Sequence, residues 1–169
     1  VPHQEAPTNV CWGMSNRSVL VRVPLGWTSG EDMCHKANPL QPHEDRDYTL
    51  KQTVEMRSPD GSADIYQLLS GLCVACRHGF QMENALEVAD ATFADGDIHD
   101  SKNAERYAKL AQLPDSCVAS ADCLEKQRGV YEEFGVFSPA MIDGIIAQLR
   151  GFNDKNTRKE VTGNDDAIA

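Results

Sequence analysis

The stretch "NRSVLVRVP", residues 16–24, places an arginine on each side of a strand-forming run. The residues of this run that favour β-structure are Val19, Leu20, Val21 and Val23. Arg17 and Arg22 are five positions apart, so a regular strand would point them to opposite faces. They can converge only if Arg17 precedes the strand or a bulge intervenes. Spacing alone favours two surface arginines that flank a strand.

A second charged pattern lies in "TVEMRSPD", residues 53–60. In an extended strand Glu55 and Arg57 share one face with Thr53, and the apolar residues between them point away. A carboxylate beside a guanidinium can bind a metal ion and an anionic substrate at neighbouring points. Spacing alone favours a solvated strand face with an ion pair between Glu55 and Arg57.

The composition indicates an ordinary globular chain with an acidic surface. Its 169 residues carry 16 basic and 26 acidic side chains, a net charge of -10, and this length suffices for one domain with a core. The negative charge argues against nucleic acid or an anionic membrane as a partner. No apolar run approaches the ~18 residues that a membrane span needs. We therefore predict neither nucleic-acid nor membrane partners.

The cysteines and the start of the chain bear on its compartment. A chain of this size does not need disulfides to hold a core. The six cysteines are therefore predicted to be reduced thiols in a cytoplasmic protein. The chain begins at Val1 with no signal-like apolar segment, which predicts a processing site or a cut at that point.

Hydrophobic periodicity divides the chain into strands followed by helices. Residues 8–23 and 49–57 alternate as strands, and the polar stretch 25–48 between them is predicted to be a long loop. Helical periodicity runs from about 62 to 152, and the polar tail 153–169 is expected to fray. The predicted fold class is α+β, with a few antiparallel strands followed by a helical C-terminal half.

Four helical stretches are predicted in the C-terminal half. Their approximate bounds are Ser62 to Gly79, 83 to 93, Ser120 to Gly135 and Ser138 to Gly151, where Ser120 and Ser138 are predicted caps and Gly79 and Gly151 predicted stops. Two strands are too few for an independent sheet. The whole of 1–169 is therefore predicted to be a fragment of a larger catalytic domain.

The sequence "CVAC", together with Cys34 and His35, offers a metal-binding or redox module as another possibility. Cys73 and Cys76 lie one turn apart on a helix, which is a possible ligand pair. Both fall on the apolar stripe of that helix, next to leucines. Burial of cysteine as a small apolar residue is therefore the favoured interpretation.

Three segments in order resemble the C-terminal catalytic region of glutamine synthetase. The family reads approximately V-P-G-Y-E-A-P, then N-R-S-x-x-x-R-I-P, then V-E-x-R-x-P-D-x-x-x-N-P-Y. The matching residues here are Val1, Pro2, Glu5, Ala6, Pro7, Asn16, Arg17, Ser18, Arg22, Pro24, Val54, Glu55, Arg57, Pro59, Asp60 and Tyr66. His3 and Gln4 replace the family's Gly-Tyr, and Asp64 and Ile65 replace its Asn-Pro.

The resemblance implies a role for each matched charged residue. Glu5 and Arg17 are implied to be catalytic: Glu5 closes over the substrate and helps deprotonate ammonium, and Arg17 contacts the transferring phosphate. With Arg57, which holds the substrate, they form the glutamate site. Arg17 and Arg22 bind ATP, and Glu55 is a ligand of a divalent metal. These roles suit phosphoryl transfer, where positioning and charge neutralisation do most of the catalysis.

The resemblance also implies the reaction. The full-length enzyme, and not this fragment alone, would join ammonia to glutamate with ATP and Mg²⁺ or Mn²⁺, through γ-glutamyl phosphate. A ring-like homo-oligomer is implied for it. The replaced Gly-Tyr pair leaves open a ligase that joins glutamate to another amine. A non-catalytic relative used in assembly or regulation is also open, although the retained Glu55 and Arg57 argue against it.

Overall fold

The computed structural model describes residues 7–24, 32–44 and 52–161. They form two compact units, the first from within 1–60 and 86–112 and the second from within 61–85 and 113–169. Strands β1, β2 and β3 span Trp12–Met14, Val21–Val23 and Glu55–Met56. Helices α1 to α7 span Met33–Ala37, Ile65–Gln81, Ala85–Thr92, Ala104–Tyr107, Cys117–Glu132, Pro139–Gly151 and Thr157–Val161. Apart from the short α1, which lies between β2 and β3, the strands precede the helices, and this confirms the predicted α+β class.

The sheet has the order β1-β2-β3, with one parallel and one antiparallel pairing. β2 and β3 are antiparallel, as predicted, whereas β1 and β2 are parallel, with Trp12 opposite Val21. The antiparallel prediction is wrong for β1 and β2 because residues 15–20 form a loop instead of a hairpin. Ser15 adopts a φ of 53°, and its N–H donates to the carbonyl of Val23 at 2.7 Å.

The predicted continuous strand over residues 8–23 is also wrong, since it is interrupted between β1 and β2. Residues 18–20 leave the extended conformation and are buried, with Val19 fully inaccessible. In residues 18–20 the apolar pattern therefore reflects burial, and the strand begins only at Val21. The core around this loop contains Cys11, Val19, Ala94 and Tyr107, with Ile98 and Leu110 packed against it.

The chain that follows α3 packs directly on β1. Ala94 is fully buried, and its N–H donates to the carbonyl of Trp12 at 2.8 Å. The indole N–H of Trp12 donates to the carbonyl of Ala89 at 2.7 Å. A Cβ at Gly13 would overlap the carbonyl oxygen of Ala94. Glycine at position 13 is what permits this close approach of two backbones.

The second unit is built on α2, α5 and α6. Its core contains Val74, Ala121, Phe137, Ile142 and Ile146. The predicted limits of α6 are confirmed: Ser138 accepts a hydrogen bond from the N–H of Met141 at 3.2 Å, and Pro139 occupies the first turn. Of the predicted apolar face, Ile142 and Ile146 are in the core and Leu149 packs against it, whereas Ile145 is only partly buried.

The predicted start of α5 is wrong by four positions. The capping residue is Ser116, whose hydroxyl accepts from the N–H of Ala119 at 3.1 Å. Ser120 lies inside the helix and donates its hydroxyl hydrogen to the carbonyl of Ser116. Both serines are acceptable caps, so the local sequence alone does not decide between them.

The polar tail contributes a second cap to the same helix. Asp154 accepts hydrogen bonds from the N–H groups of Cys117 at 2.7 Å and Val118 at 3.2 Å. Residues 157–161 then form α7. The expectation that the tail frays is therefore wrong for this part of it, and residues 162–169 lie outside the described residues.

The remaining predicted boundaries need smaller corrections. Asp64, and not Ser62, caps α2 by accepting from the N–H groups of Tyr66 and Gln67, and α2 ends two residues beyond Gly79. The predicted loop 25–48 contains α1, which Asp32 caps. The rest of that loop is described only for residues 32–44.

The cysteines of "CVAC" are exposed, so the prediction that they are buried is wrong. Periodicity placed them correctly on the apolar stripe of α2, but part of that stripe, including Leu69, is open to solvent. Cys73 and Leu69 line an open groove of about 360 Å³. All six cysteines are unpaired thiols.

Across the parts of the chain that the structure describes, we find no helix with the length and apolar character needed to cross a membrane.

Gly13→Ala is expected to destabilise the protein by about 1–3 kcal/mol, because the new methyl group would overlap a backbone carbonyl that cannot move alone. Gly129→Ala is the control, since a Cβ there meets no atom within 4 Å and alanine is the better helix former. Chemical unfolding measures both. Equal free energies of unfolding for Gly13→Ala and wild type would contradict the assigned contact.

The cap that Asp154 forms on α5 is expected to weaken in acid. Hydrogen bonds from the backbone N–H groups of Cys117 and Val118 lower the pKa of its carboxyl group. Its contribution to stability is therefore complete above the unfolded pKa of about 3.9 and is lost as pH falls through the lower folded value. Asp154→Asn is expected to flatten the fall in melting temperature in this acid range. Asp115→Asn controls for the lost charge, and an unchanged pH profile for Asp154→Asn would contradict the prediction.

Candidate functional site

Two of the predicted site residues meet across the sheet. The antiparallel register places Arg22 of β2 opposite Glu55 of β3. The Nε–H of Arg22 donates to Oε2 of Glu55 at 3.1 Å, and Nη2 contacts the same oxygen. The side chains are 22% and 41% exposed, respectively. This is a charge-assisted contact in a partly buried setting, where it is stronger than a fully solvated pair.

Arg57 holds the other oxygen of the same carboxylate. Its Nε lies 3.4 Å from Oε1 of Glu55, and its side chain is only 16% exposed. The backbone N–H of Arg57 donates to the carbonyl of Leu20 at 2.9 Å, and Nη1 donates to that of Val19 at 3.4 Å. The ion pair predicted between Glu55 and Arg57 is confirmed.

The group Arg22, Glu55 and Arg57 therefore carries two positive charges and one negative charge. The carboxylate lies between the guanidiniums and contacts each through a different oxygen. Guanidinium N–H groups match the spacing of carboxylate and phosphate oxygens. The arrangement is suited to binding an additional anionic group.

The same group does not by itself fit a divalent metal ion. Mg²⁺ prefers near-octahedral oxygen ligands, and Glu55 is the only carboxylate in the group. Within residues 7–24, 32–44 and 52–161 no set of three or more His, Cys, Asp or Glu side chains could hold a metal. Both arginines also compete with any cation for Glu55.

The other two predicted site residues stand differently. Arg17 lies in the bend before β2, and its side chain is exposed. A position before the strand is one of the two arrangements that would let Arg17 converge with Arg22. In the part of the chain that the structure describes, Glu55 contacts both Arg22 and Arg57. Glu5 lies outside the described residues.

Sequence reasoning matched Asn16 and Ser18, on either side of Arg17, to the family motif but assigned them no role. The side-chain NH₂ of Asn16 donates to the carbonyls of Ala94 at 3.1 Å and Gly96 at 2.8 Å. Its Oδ1 accepts from the backbone N–H of Ser18. An asparagine two residues before a serine is a recognisable signal for this local turn, but its long-range partners are not visible in the sequence.

The comparisons with known proteins agree with the three motifs. Residues 1–165 match the family model for the glutamine synthetase catalytic domain. Glutamine synthetase of Streptomyces coelicolor is 30% identical over 146 residues, covering 86% of this chain and 26% of that protein. The Streptomyces filamentosus protein of the same name is 29% identical over 150 residues, covering 89% and 27%.

A third relative gives a similar match. Glutamine synthetase of Pyrococcus abyssi is 27% identical over 136 residues, which is 80% of this chain and 25% of that protein. The chain thus spans about a quarter of the length of the curated relatives it matches. Because the family model covers nearly all of the sequence, this chain belongs to the glutamine synthetase family and forms part of its catalytic domain.

Proposed function

We propose that the full-length protein joins ammonia to glutamate at the expense of ATP. An oxygen of the glutamate γ-carboxylate attacks the γ-phosphorus of ATP, and ADP leaves. The nitrogen of ammonia then attacks the carbonyl carbon of γ-glutamyl phosphate, and phosphate leaves to give glutamine. ATP, glutamate and γ-glutamyl phosphate are all anionic, so the protein must supply fixed positive charge.

The observation that carries this proposal is the paired arginines around Glu55. The backbone N–H of Arg57 donates to the carbonyl of Leu20, and its Nη1 donates to the carbonyl of Val19, so its backbone and its guanidinium are both held at the entry to β2. It is the proposed ligand for the substrate carboxylate. Arg22 extends from the neighbouring strand and is the proposed ligand for an ATP phosphate. The paired strands β2 and β3 would then hold both anionic substrates at adjacent points.

Two further roles belong to the proposal through the family motif. Arg17, exposed before β2, would contact the phosphate during its transfer, bind ATP and touch glutamate. Glu5 would close over the glutamate and help remove the proton of ammonium. Neutral ammonia is the nucleophile, so a carboxylate that accepts this proton favours the second step.

Glu55 would supply one ligand of Mg²⁺ or Mn²⁺ only if other parts of the full-length protein supply the remaining ligands. Such an ion neutralises phosphate charge when it is bound. The described residues supply the anchored carboxylate and the arginines that hold it. A cytoplasmic, ring-like homo-oligomer is proposed as the working form of the protein.

The nature of the amine can be tested directly. Full-length protein is supplied with ATP and glutamate, with either ammonium or a larger amine, and the amide product is identified by mass spectrometry. Glutamine from ammonium supports the proposal. Product only from a larger amine would replace it with a glutamate–amine ligase, and no product with either would favour a non-catalytic relative.

Arg57→Lys is expected to raise the glutamate KM of the full-length enzyme about tenfold, because lysine keeps the charge but loses the planar donor fork. Initial rates at varied glutamate give the value. Arg150→Lys is the matched control, since Arg150 forms exposed ion pairs with Asp122 and Glu125 in the second unit. A glutamate KM that is the same in Arg57→Lys and wild type would disprove the assignment.

Titration of this 169-residue chain with Mn²⁺ is expected to show no tight binding in a calorimeter. The reason is that Arg22 and Arg57 occupy both oxygens of Glu55. Glu55→Gln should give the same flat titration. In full-length protein, Glu55→Ala should weaken metal binding. A saturable Mn²⁺ site in this chain that Glu55→Gln removes would refute the argument.

A further inference from the structure

The residue before Arg17 is tied to a distant segment of the chain. Asn16 donates both hydrogen bonds of its side-chain NH₂ to backbone carbonyls, those of Ala94 at 3.1 Å and Gly96 at 2.8 Å. Its Oδ1 accepts from the N–H of Ser18 at 3.0 Å and from the Ser18 hydroxyl at 2.8 Å. One amide side chain therefore connects positions 16, 18, 94 and 96.

The residue after Arg17 is tied to the same segment. Ser18 is only 4% exposed, and its hydroxyl oxygen accepts from the N–H of Ile98 at 3.1 Å. Arg17 thus lies between two inward-facing polar residues, and its own side chain is exposed. The backbone on both sides of the arginine is fixed, which limits the directions in which its guanidinium can extend.

The segment 94–98, which receives these bonds, is itself well anchored. The N–H of Gly96 donates to the Tyr107 hydroxyl, which in turn donates to Asp95, both at 3.0 Å. Hydrogen bonds from Arg106 and then Tyr107 lower the pKa of Asp95, so it remains a carboxylate acceptor at neutral pH. The N–H of Ala94 donates to β1. The segment that holds Asn16 and Ser18, and so the backbone around Arg17, is therefore itself fixed by hydrogen bonds.

We propose that Asn16 is a positioning residue that fixes Arg17 for contact with the transferring phosphate. This inference rests on the proposed function. Phosphoryl transfer depends on charge placed where it develops, and a displacement of ~1 Å can cost ~100-fold in rate. Asn16 would act through Arg17 and would touch neither substrate.

The test is a double-mutant cycle in the full-length protein, with Asn16→Ala, Arg17→Ala and both together. Asn16→Ala is expected to lower kcat about tenfold, with a smaller rise in the glutamate KM than Arg57→Lys gives, because Arg57 keeps its contact with Glu55. If Asn16 acts through Arg17, the double variant should have the kcat of Arg17→Ala within about twofold. Binding of a non-hydrolysable ATP analogue, measured by calorimetry, should show the same non-additivity.

A control separates positioning from general stability. Asn103→Ala removes a 2.9 Å hydrogen bond to the carbonyl of Asp97 in the same segment without touching residues 16–18. It should lower the melting temperature as Asn16→Ala does, with kcat per folded enzyme unchanged. Ser18→Ala should lower kcat about threefold. If Asn16→Ala does not fold, Ser18→Ala takes its place in the double-mutant cycle.

Each other outcome has a definite meaning. Multiplicative losses in the double variant, or a normal kcat in Asn16→Ala and Ser18→Ala, would overturn the positioning role and leave the proposed function intact. An equal fall in kcat for Asn103→Ala would also overturn it. A wild-type enzyme that makes no amide product would overturn the proposed function and this inference with it.

Discussion

The side-chain amide of Asn16 connects the loop before β2 to the segment that follows α3. Its NH₂ donates to the carbonyl of Ala94, which is fully buried, and to the carbonyl of Gly96. A buried carbonyl without a donor costs about 1–3 kcal/mol. Gly13 completes the arrangement, since only a residue without Cβ lets β1 approach Ala94. The position of β1, and with it that of the parallel β2, follows from this close contact.

Local signals explain which helices the sequence could predict. α6 has its cap, its first-turn proline and its apolar period within its own residues, so its limits were predicted correctly. α5 begins where Ser116 and Asp154 together bond its first N–H groups, and Asp154 is 36 or 37 positions away from those groups. Ser120 was an equally good local cap. A boundary set by such a distant residue is not encoded in the local pattern.

The site shows the same division between local and distant information. Alternation along one strand predicted that Glu55 and Arg57 share a face, and they do form an ion pair. The contact of Glu55 with Arg22 depends on the β2–β3 register, and the position of Arg17 depends on hydrogen bonds to segment 94–98. Neither long-range contact can be predicted from the periodicity of the sequence. For Cys73 and Cys76, periodicity identified an apolar face but not whether anything covers it.

The sharing of Glu55 between two arginines has a consequence for how an anion could bind. A carboxylate or phosphate that takes the donors of Arg57 must compete with Oε1 of Glu55. Because Oε2 keeps two N–H donors from Arg22, this exchange would not leave the half-buried carboxylate unpaired. Removing the last partner of a buried charge is the expensive step. With two arginines on one carboxylate, either guanidinium can change partners while the other keeps Glu55 in place.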